Sequence, residues 1–180
     1  MGSFSLEILQ NRNPQKTKKV IFQSLIGNQR LTEKTCIFSL SERDEAFAHK
    51  DMKRAKTWLT SKDNEEPYYF AEKSPRGLSP DSKVLFSFDA QIFGQAVAKE
   101  NVRNIPFEEQ EARRKAGRPV YKHSVVFKRG SVEIFHYNPT KTEITEKLGI
   151  QFSQVFTYVT QGQYDEIVRM ARGQRSSHDS

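Results

Sequence analysis

The 180-residue sequence contains one cysteine, Cys36, and one tryptophan, Trp58. A lone thiol excludes an intrachain disulfide and any paired-cysteine zinc site. No apolar run approaches the ~20 residues that a transmembrane helix requires, and no secretory signal opens the chain, so the expected location is cytoplasmic and no membrane partner is expected. Catalytic signatures are missing too: there is no HExxH, no phosphate-cradling P-loop, no GxSxG and no Cys–His pair in a recognisable context. The nearest nuclease-like string, Pro80-Asp81-Ser82-Lys83, has no second carboxylate at a useful spacing and reads as a turn. The expectation is a binding domain rather than an enzyme.

Apolar residues make up only 36% of the chain and the mean hydropathy is −0.74. Yet 13 Phe, 6 Tyr and the one Trp are too many aromatics for a disordered chain. The length suits one domain able to bury a core. A net charge of +7 and a pI near 9.5 favour a polyanionic partner.

Residues 1–19 read as a polar N-terminal arm, 20–172 as the folded domain and 173–180 as a polar tail or linker. "VIFQSLIG" and "TCIFSLS" read as strands. Residues 42–57 read as a helix with Ser41 as its N-cap. "VLFSFDAQIFGQAVAKE", residues 84–100, alternates, stops at a polar turn around Asp89 to Gln91, and alternates again, predicting antiparallel strands over 84–88 and 92–99. The second arm is poor in bulk from Gly94 to Ala98, which leaves room for something to lie against it. Residues 107–118 end in Gly117 and Pro119 and read as a long mobile loop. A second hairpin is expected around Arg129-Gly130, with opposed residues summing to 259; this places His123 opposite His136. Two histidines without a third ligand are an ordinary strand pair, and neither metal nor cofactor is expected. A short helix ending at Gly149, the strand "FSQVFTYVT" and a helix over 161–171 with Tyr164, Ile167, Val168 and Ala171 on one face complete an α+β fold around a curved mixed sheet or open β-barrel flanked by helices.

The 84–100 stretch resembles the central hairpin of the YTH and EVE domains of the PUA-like superfamily, where a Val/Leu-Phe-Ser strand is followed by a polar turn, an aromatic, Gly and small residues. "CIFSLSERDE…KTWLTSKDNE" is similar to the first YTH strand, the following helix and a Trp. "VEIFHYNPTKTEITEKLG…VTQGQYDEIVRMA" looks like the PUA-like ending. The similarity spans about residues 35 to 172. It implies a reader that grips a flipped, modified base, N6-methyladenine in YTH proteins, between aromatic rings. Unstacking costs a few kcal/mol, stacking on aromatics returns roughly 1–3 kcal/mol per base, and one methyl adds about 0.8 kcal/mol, so discrimination depends on a tight pocket.

The resemblance implies a pocket drawn from Trp58 and its neighbour Leu59, with Ser41, Ser87, Asp89, Phe93 and Tyr137. YTH readers carry a second cage Trp; here Tyr137, Phe135 or Tyr121 takes its place. Each has a plainer reading as well: Trp58 as a sheet cover, Ser41 as a cap, Asp89 as a turn residue and Phe93 as core. Arg113, Arg114, Lys115, Arg118 and Lys122 form a basic cluster suited to phosphates or a groove, or to solvent alone. The expected partner is nucleic acid, modified DNA ahead of RNA, with methylated or hydroxymethylated cytosine as other candidate marks. By analogy with modification-dependent restriction systems, the module would be fused or tethered to a nuclease or NTPase. The rival readings are a small nuclease, an ASCH-like hydrolase, or an RNA-binding PUA-like domain without selectivity for modification.

Overall fold

Every residue of Val84–Phe88 is buried, a run that an antiparallel strand with one wet face would not show. The reason is position: this strand lies at the centre of a sheet covered on both sides. The computed structural model describes residues 35–40 and 51–173. In chain order the elements are β1 (Thr35–Ser39), α1 (Met52–Ser61), β2 (Tyr68–Phe70), β3 (Lys83–Phe88), β4 (Gln91–Val97), β5 (Arg103–Asn104), α2 (Phe107–Lys115), β6 (His123–Val125), β7 (Glu133–Ile134), α3 (Lys141–Leu148), β8 (Phe156–Val159) and α4 (Gln161–Ala171). The larger sheet has the order β7-β4-β3-β1-β8 and the smaller the order β2-β6-β5. β1 runs parallel to β3, and the other pairs are antiparallel.

The expected 84–99 hairpin is present. Asp89 and Ala90 both have positive φ, 45° and 59°, which matches the strand twist in a two-residue loop. The register shifts between Phe86 paired with Gly94 and Ser87 paired with Ile92, so Phe93 is the extra residue of a bulge. The small residues of this arm make room for the protein itself. A Cβ on Gly94 would lie 2.7 Å from Leu59 Cδ2 and 2.8 Å from the Glu133 carbonyl oxygen, so Gly94 lets α1 and β7 close onto β4.

Alternation divides the core between the two sheet faces. Cys36, Phe38, Val84, Phe86, Phe88, Phe93 and Ala96 meet Ala55 and Leu59 of α1, with Phe70, Val125 and Phe127 from the smaller sheet and its flank. On the other face Ile37, Leu85 and Ile92 meet Ile144 of α3 and the Tyr164, Ile167, Val168 and Ala171 stripe of α4, the stripe that the spacing predicts. Burial on the aromatic face pushes the Cys36 thiol up to about 12, so it stays protonated and acts as a small core residue.

Local chemistry sets the helix ends. Asp51 caps α1 with extended backbone, accepting from the Lys53 and Arg54 amides, so the helix expected over 42–57 does not run unbroken through residue 51 and α1 instead continues to Ser61; Ser41 and residues 42–50 lie outside the described residues. α3 and α4 each open with a capping box, Thr140/Glu143 and Thr160/Gln163, and Gly149 ends α3 with φ 65°.

Two expectations are corrected. Residues 107–115 are helical, because Gly117 and Pro119 fall after the last turn and stop the helix rather than prevent it; Gly117 takes φ 66°. The 121–137 segment is not a hairpin. It does turn at Gly130, where the Ser131 amide donates to the Lys128 carbonyl at 3.1 Å, but β6 joins β2 and β5 whereas β7 joins β4. His123 and His136 are therefore not paired, and His123 Nδ1 lies 2.9 Å from Asn104 Oδ1.

That crossing segment ties the sheets together along one side. The Lys99 amide donates to Val126 and the Lys128 amide to Val97, with Ala98 bridging to Phe127. On the opposite side β8 and β2 belong to separate sheets. The barrel is open there.

Candidate functional site

The open side is held by rings rather than by backbone. Phe38 lies 5.4 Å from Tyr68, 5.4 Å from Phe70 and 5.3 Å from Phe156, and Phe70 lies 5.5 Å from Phe156, mostly in edge-on geometry. Such edge-on contacts are the arrangement that aromatic rings favour. Above these rings is a cleft of about 350 Å³ walled by Ser39, Tyr68, Tyr69, Phe70, Val155 and Phe156. Past Glu72 and Lys73 it continues into a wider groove of about 790 Å³ edged by Arg76, His123, Gln154 and Tyr158. Val155 and Tyr158 are 42% and 48% exposed at its mouth. An apolar, aromatic slot beside Lys73 and Arg76 is chemically suited to a base with its phosphates.

The expected pocket residues that fall among the described residues do not meet in one place; Ser41 lies outside them. Trp58 is half-buried on the aromatic face, edge-on to Tyr68 at 5.5 Å and to Phe86 at 6.3 Å, with the Lys62 ammonium 5.3 Å from its ring centre. Leu59 and Phe93 are wholly buried in the same cluster. Ser87, also wholly buried, lies on the other face with its Oγ 3.2 Å from Ser39 Oγ. Asp89 is exposed in its turn. Tyr137 is 47% exposed and its hydroxyl donates to Glu143; that bond raises the phenol pKa and holds the Glu143 carboxyl below its ordinary value.

The expected cations also differ in state. The Arg113 guanidinium lies 4.6 Å from the Tyr69 ring centre and 5.6 Å from Tyr121, which stack on each other at 5.1 Å, and Glu109 is 3.6 Å away. α2 buries no residue of its own, so this contact pins it to the smaller sheet. Lys122 pairs with Glu72 at 2.6 Å and Arg114 with Glu111. Lys115 and Arg118 are exposed.

The sequence reading missed Ser39, Tyr68, Tyr69, Phe156, Lys73 and Arg76. The available signal was "PYYF" running directly into "AEKSPRG", three aromatics followed by two cations in a turn-rich loop. It also missed Lys141. This side chain is half-buried, its Nζ donates to Ser39 Oγ at 3.3 Å and lies 5.2 Å from the Phe152 ring centre, and burial lowers its pKa. Among the described residues, no three His, Cys, Asp or Glu side chains are grouped so as to hold a metal, and no helix is long and apolar enough to cross a membrane.

No family model matches the chain, and no curated protein matches it in sequence. Solved structures resemble it in shape. The ASCH protein of Zymomonas mobilis superposes with a TM-score of 0.51 at 12% identity, over 77% of this chain and 96% of that one. A Tyr-to-Phe variant of the same protein gives 0.46 at 9% identity, over 76% and 98%. The YTH domain of a Zygosaccharomyces rouxii protein, solved in complex with N6-methyladenosine RNA, gives 0.43 at 12% identity, over 82% and 92%. At such identities the likeness bears on architecture alone. The chain has the α+β fold of the ASCH structure, with a mixed five-stranded sheet that does not close into a barrel.

Proposed function

We propose that this domain binds nucleic acid by taking an unstacked base into the cleft between β2 and β8, and that modified DNA is its preferred target. The supporting observation is the cleft itself: aromatic walls from Tyr68, Phe70 and Phe156, with Lys73 and Arg76 along its extension. A base entering it would exchange duplex stacking for contact with these rings, roughly 1–3 kcal/mol per base. A modified base is favoured because a slot between rigid strands rewards a methyl group that fills it and rejects one that does not fit. In this reading the domain performs no chemistry and directs a tethered nuclease or NTPase to marked DNA.

The test is binding to matched single strands and duplexes that carry N6-methyladenine, 5-methylcytosine, 5-hydroxymethylcytosine or no mark, at two salt concentrations. Expected are affinity that falls steeply with salt, a preference for one mark, and loss of binding in Tyr158→Ala combined with Lys73→Ala while the melting temperature holds. Absence of binding to every oligonucleotide at low salt overturns the reading. Cleavage of any of them in the presence of a divalent metal moves the domain to the enzyme class.

A further inference from the structure

We propose that Tyr158 is the stacking platform for the nucleotide next to the one whose base enters the cleft, so that the ligand is an extended single strand of two or more nucleotides; this rests on the reading just given. The geometry begins with β8. Its register sets Phe156 opposite Phe38 and Tyr158 opposite Cys36, and both Phe38 and Cys36 belong to the aromatic face. Directly opposed residues of an antiparallel pair share a face, so Phe156 and Tyr158 project to the same side, two residues apart. Phe156 is common to the cleft and to the groove that continues it, whereas Tyr158 belongs to the groove alone. One ring stands at the junction and the next stands further along.

The spacing decides what kind of strand fits. Two residues of a β-strand advance ~7 Å, while neighbouring bases along one strand of a duplex are stacked ~3.4 Å apart. A base over each ring cannot stay stacked on its neighbour. The step suits a single strand drawn out along the groove, with each base exchanging its neighbour for a ring. There is room for it, because the groove has a volume of about 790 Å³ against about 350 Å³ for the cleft. Tyr158 is also held ready. Its side is 48% exposed, yet its hydroxyl accepts from the Arg76 amide at 2.6 Å, which fixes the ring before a ligand arrives and lowers the cost of ordering it. Lys73 and Arg76 line the same groove, where the phosphate between the two nucleotides would pass. The carboxylate on that wall, Glu72, is paired with Lys122 at 2.6 Å, which offsets its repulsion of the phosphate.

The experiment uses the full chain and short single-stranded DNA with N6-methyladenine, 5-methylcytosine, 5-hydroxymethylcytosine or an unmarked base at its centre. The strand that binds most tightly is remade with the base missing from the nucleotide on the 5′ side of the centre, with the base missing on the 3′ side, and as a duplex. In the wild type, loss of one of these two neighbouring bases should weaken binding about tenfold, the scale of one base–aromatic stack, and the duplex should bind more weakly than the strand. Tyr158→Ala should weaken the complete strand by a similar factor and abolish the sensitivity to the missing base. Tyr158→Phe, which keeps the ring, should retain that sensitivity. Wild-type binding that ignores both missing bases overturns the proposal without any variant, so a substitution that fails to fold does not protect it. A Tyr158→Ala protein that still senses the missing base overturns it too, as does a duplex that binds as tightly as its strand; each of these results leaves the nucleic-acid reading standing. Failure of every oligonucleotide to bind the wild type overturns both.

Discussion

The two faces of the larger sheet are filled by different chemistry. One is built of rings, with Phe38, Phe86, Phe88, Phe93 and Phe127 fully buried against α1 and the smaller sheet. The other is largely aliphatic, with Ile37, Leu85, Ile92, Ile144 and Ile167 beneath α3 and α4. Branched aliphatics fill space from all directions, and two capped helices close them over. Rings pack edge-on, and the aromatic cleft lies on their side. A cleft of about 420 Å³ beside α4, lined by Lys83, Gln95, Tyr164, Arg169 and Arg172, is far more polar than the aromatic one, so the two faces differ in what their openings could hold.

The largest test of this contrast removes one residue from each face. Phe86 neighbours Phe38 at 5.6 Å and Phe127 at 5.5 Å; Phe86→Ala should cost about 3–5 kcal/mol in denaturant unfolding, and Ile144→Ala about 2–5 kcal/mol. Only the first should also weaken oligonucleotide binding, because Tyr68, which lies 6.3 Å from Phe86, shares that cluster. Equal effects on binding would erase the distinction.

Gly94→Ala comes next, at about 1–3 kcal/mol, the usual cost of overpacking. Two groups crowd the added methyl, Leu59 Cδ2 and the Glu133 carbonyl oxygen, and only the side chain can yield. Adding Leu59→Ala should therefore relieve part of the strain. A double-mutant cycle that gives simple additivity would show that α1 does not rest on this glycine.

On the aliphatic side, Thr140→Ala removes the cap that accepts from the Glu143 amide and should cost about 1 kcal/mol, measurable as a lower melting temperature.

The smallest effect is a pH dependence at α4. Arg169 first, and then Lys147, hold the Glu166 carboxyl down at about 2 instead of 4.5. The charged form is thus favoured in the fold. Its stabilisation is fully present above about pH 4.5 and is lost as pH falls toward 2. Because the pairs are partly exposed, its size should stay within about 0.2–1 kcal/mol. Glu166→Gln should remove that share of the acid slope and change nothing at the aromatic cleft.

These faces were legible in the sequence to different depths. The stripe of Tyr164, Ile167, Val168 and Ala171 gave α4, and the alternation in 84–97 gave the hairpin, because in both cases a local period decides which side is buried. The turn at Gly130 was also visible. The error there concerned partners: a turn fixes a reversal, but β7 hydrogen-bonds to β4 through contacts that no local pattern encodes. The α2 segment was read from its breakers, Gly117 and Pro119, which only mark its end. The cleft was the least legible part. Its walls come from Ser39, the 68–73 segment, Val155 and Phe156, brought together only once both sheets exist. Gly94 was noticed for its lack of bulk, but the sequence did not say what lies against it, which is Leu59 and the Glu133 carbonyl.

The position of β1 affects how the chain is made. This strand is the second to last in its sheet, with Cys36 beside Val84 on one side and Thr35 beside Val159 on the other. During synthesis it leaves the ribosome long before either partner, and its second edge stays unpaired until almost the whole domain has been translated. Pairings this distant in sequence fold slowly, and an apolar strand with an open edge recruits other chains. Nascent chains stalled before Phe156 should therefore be the aggregation-prone species, and co-expressed holdase chaperones should raise the soluble yield more than any substitution at the protein surface.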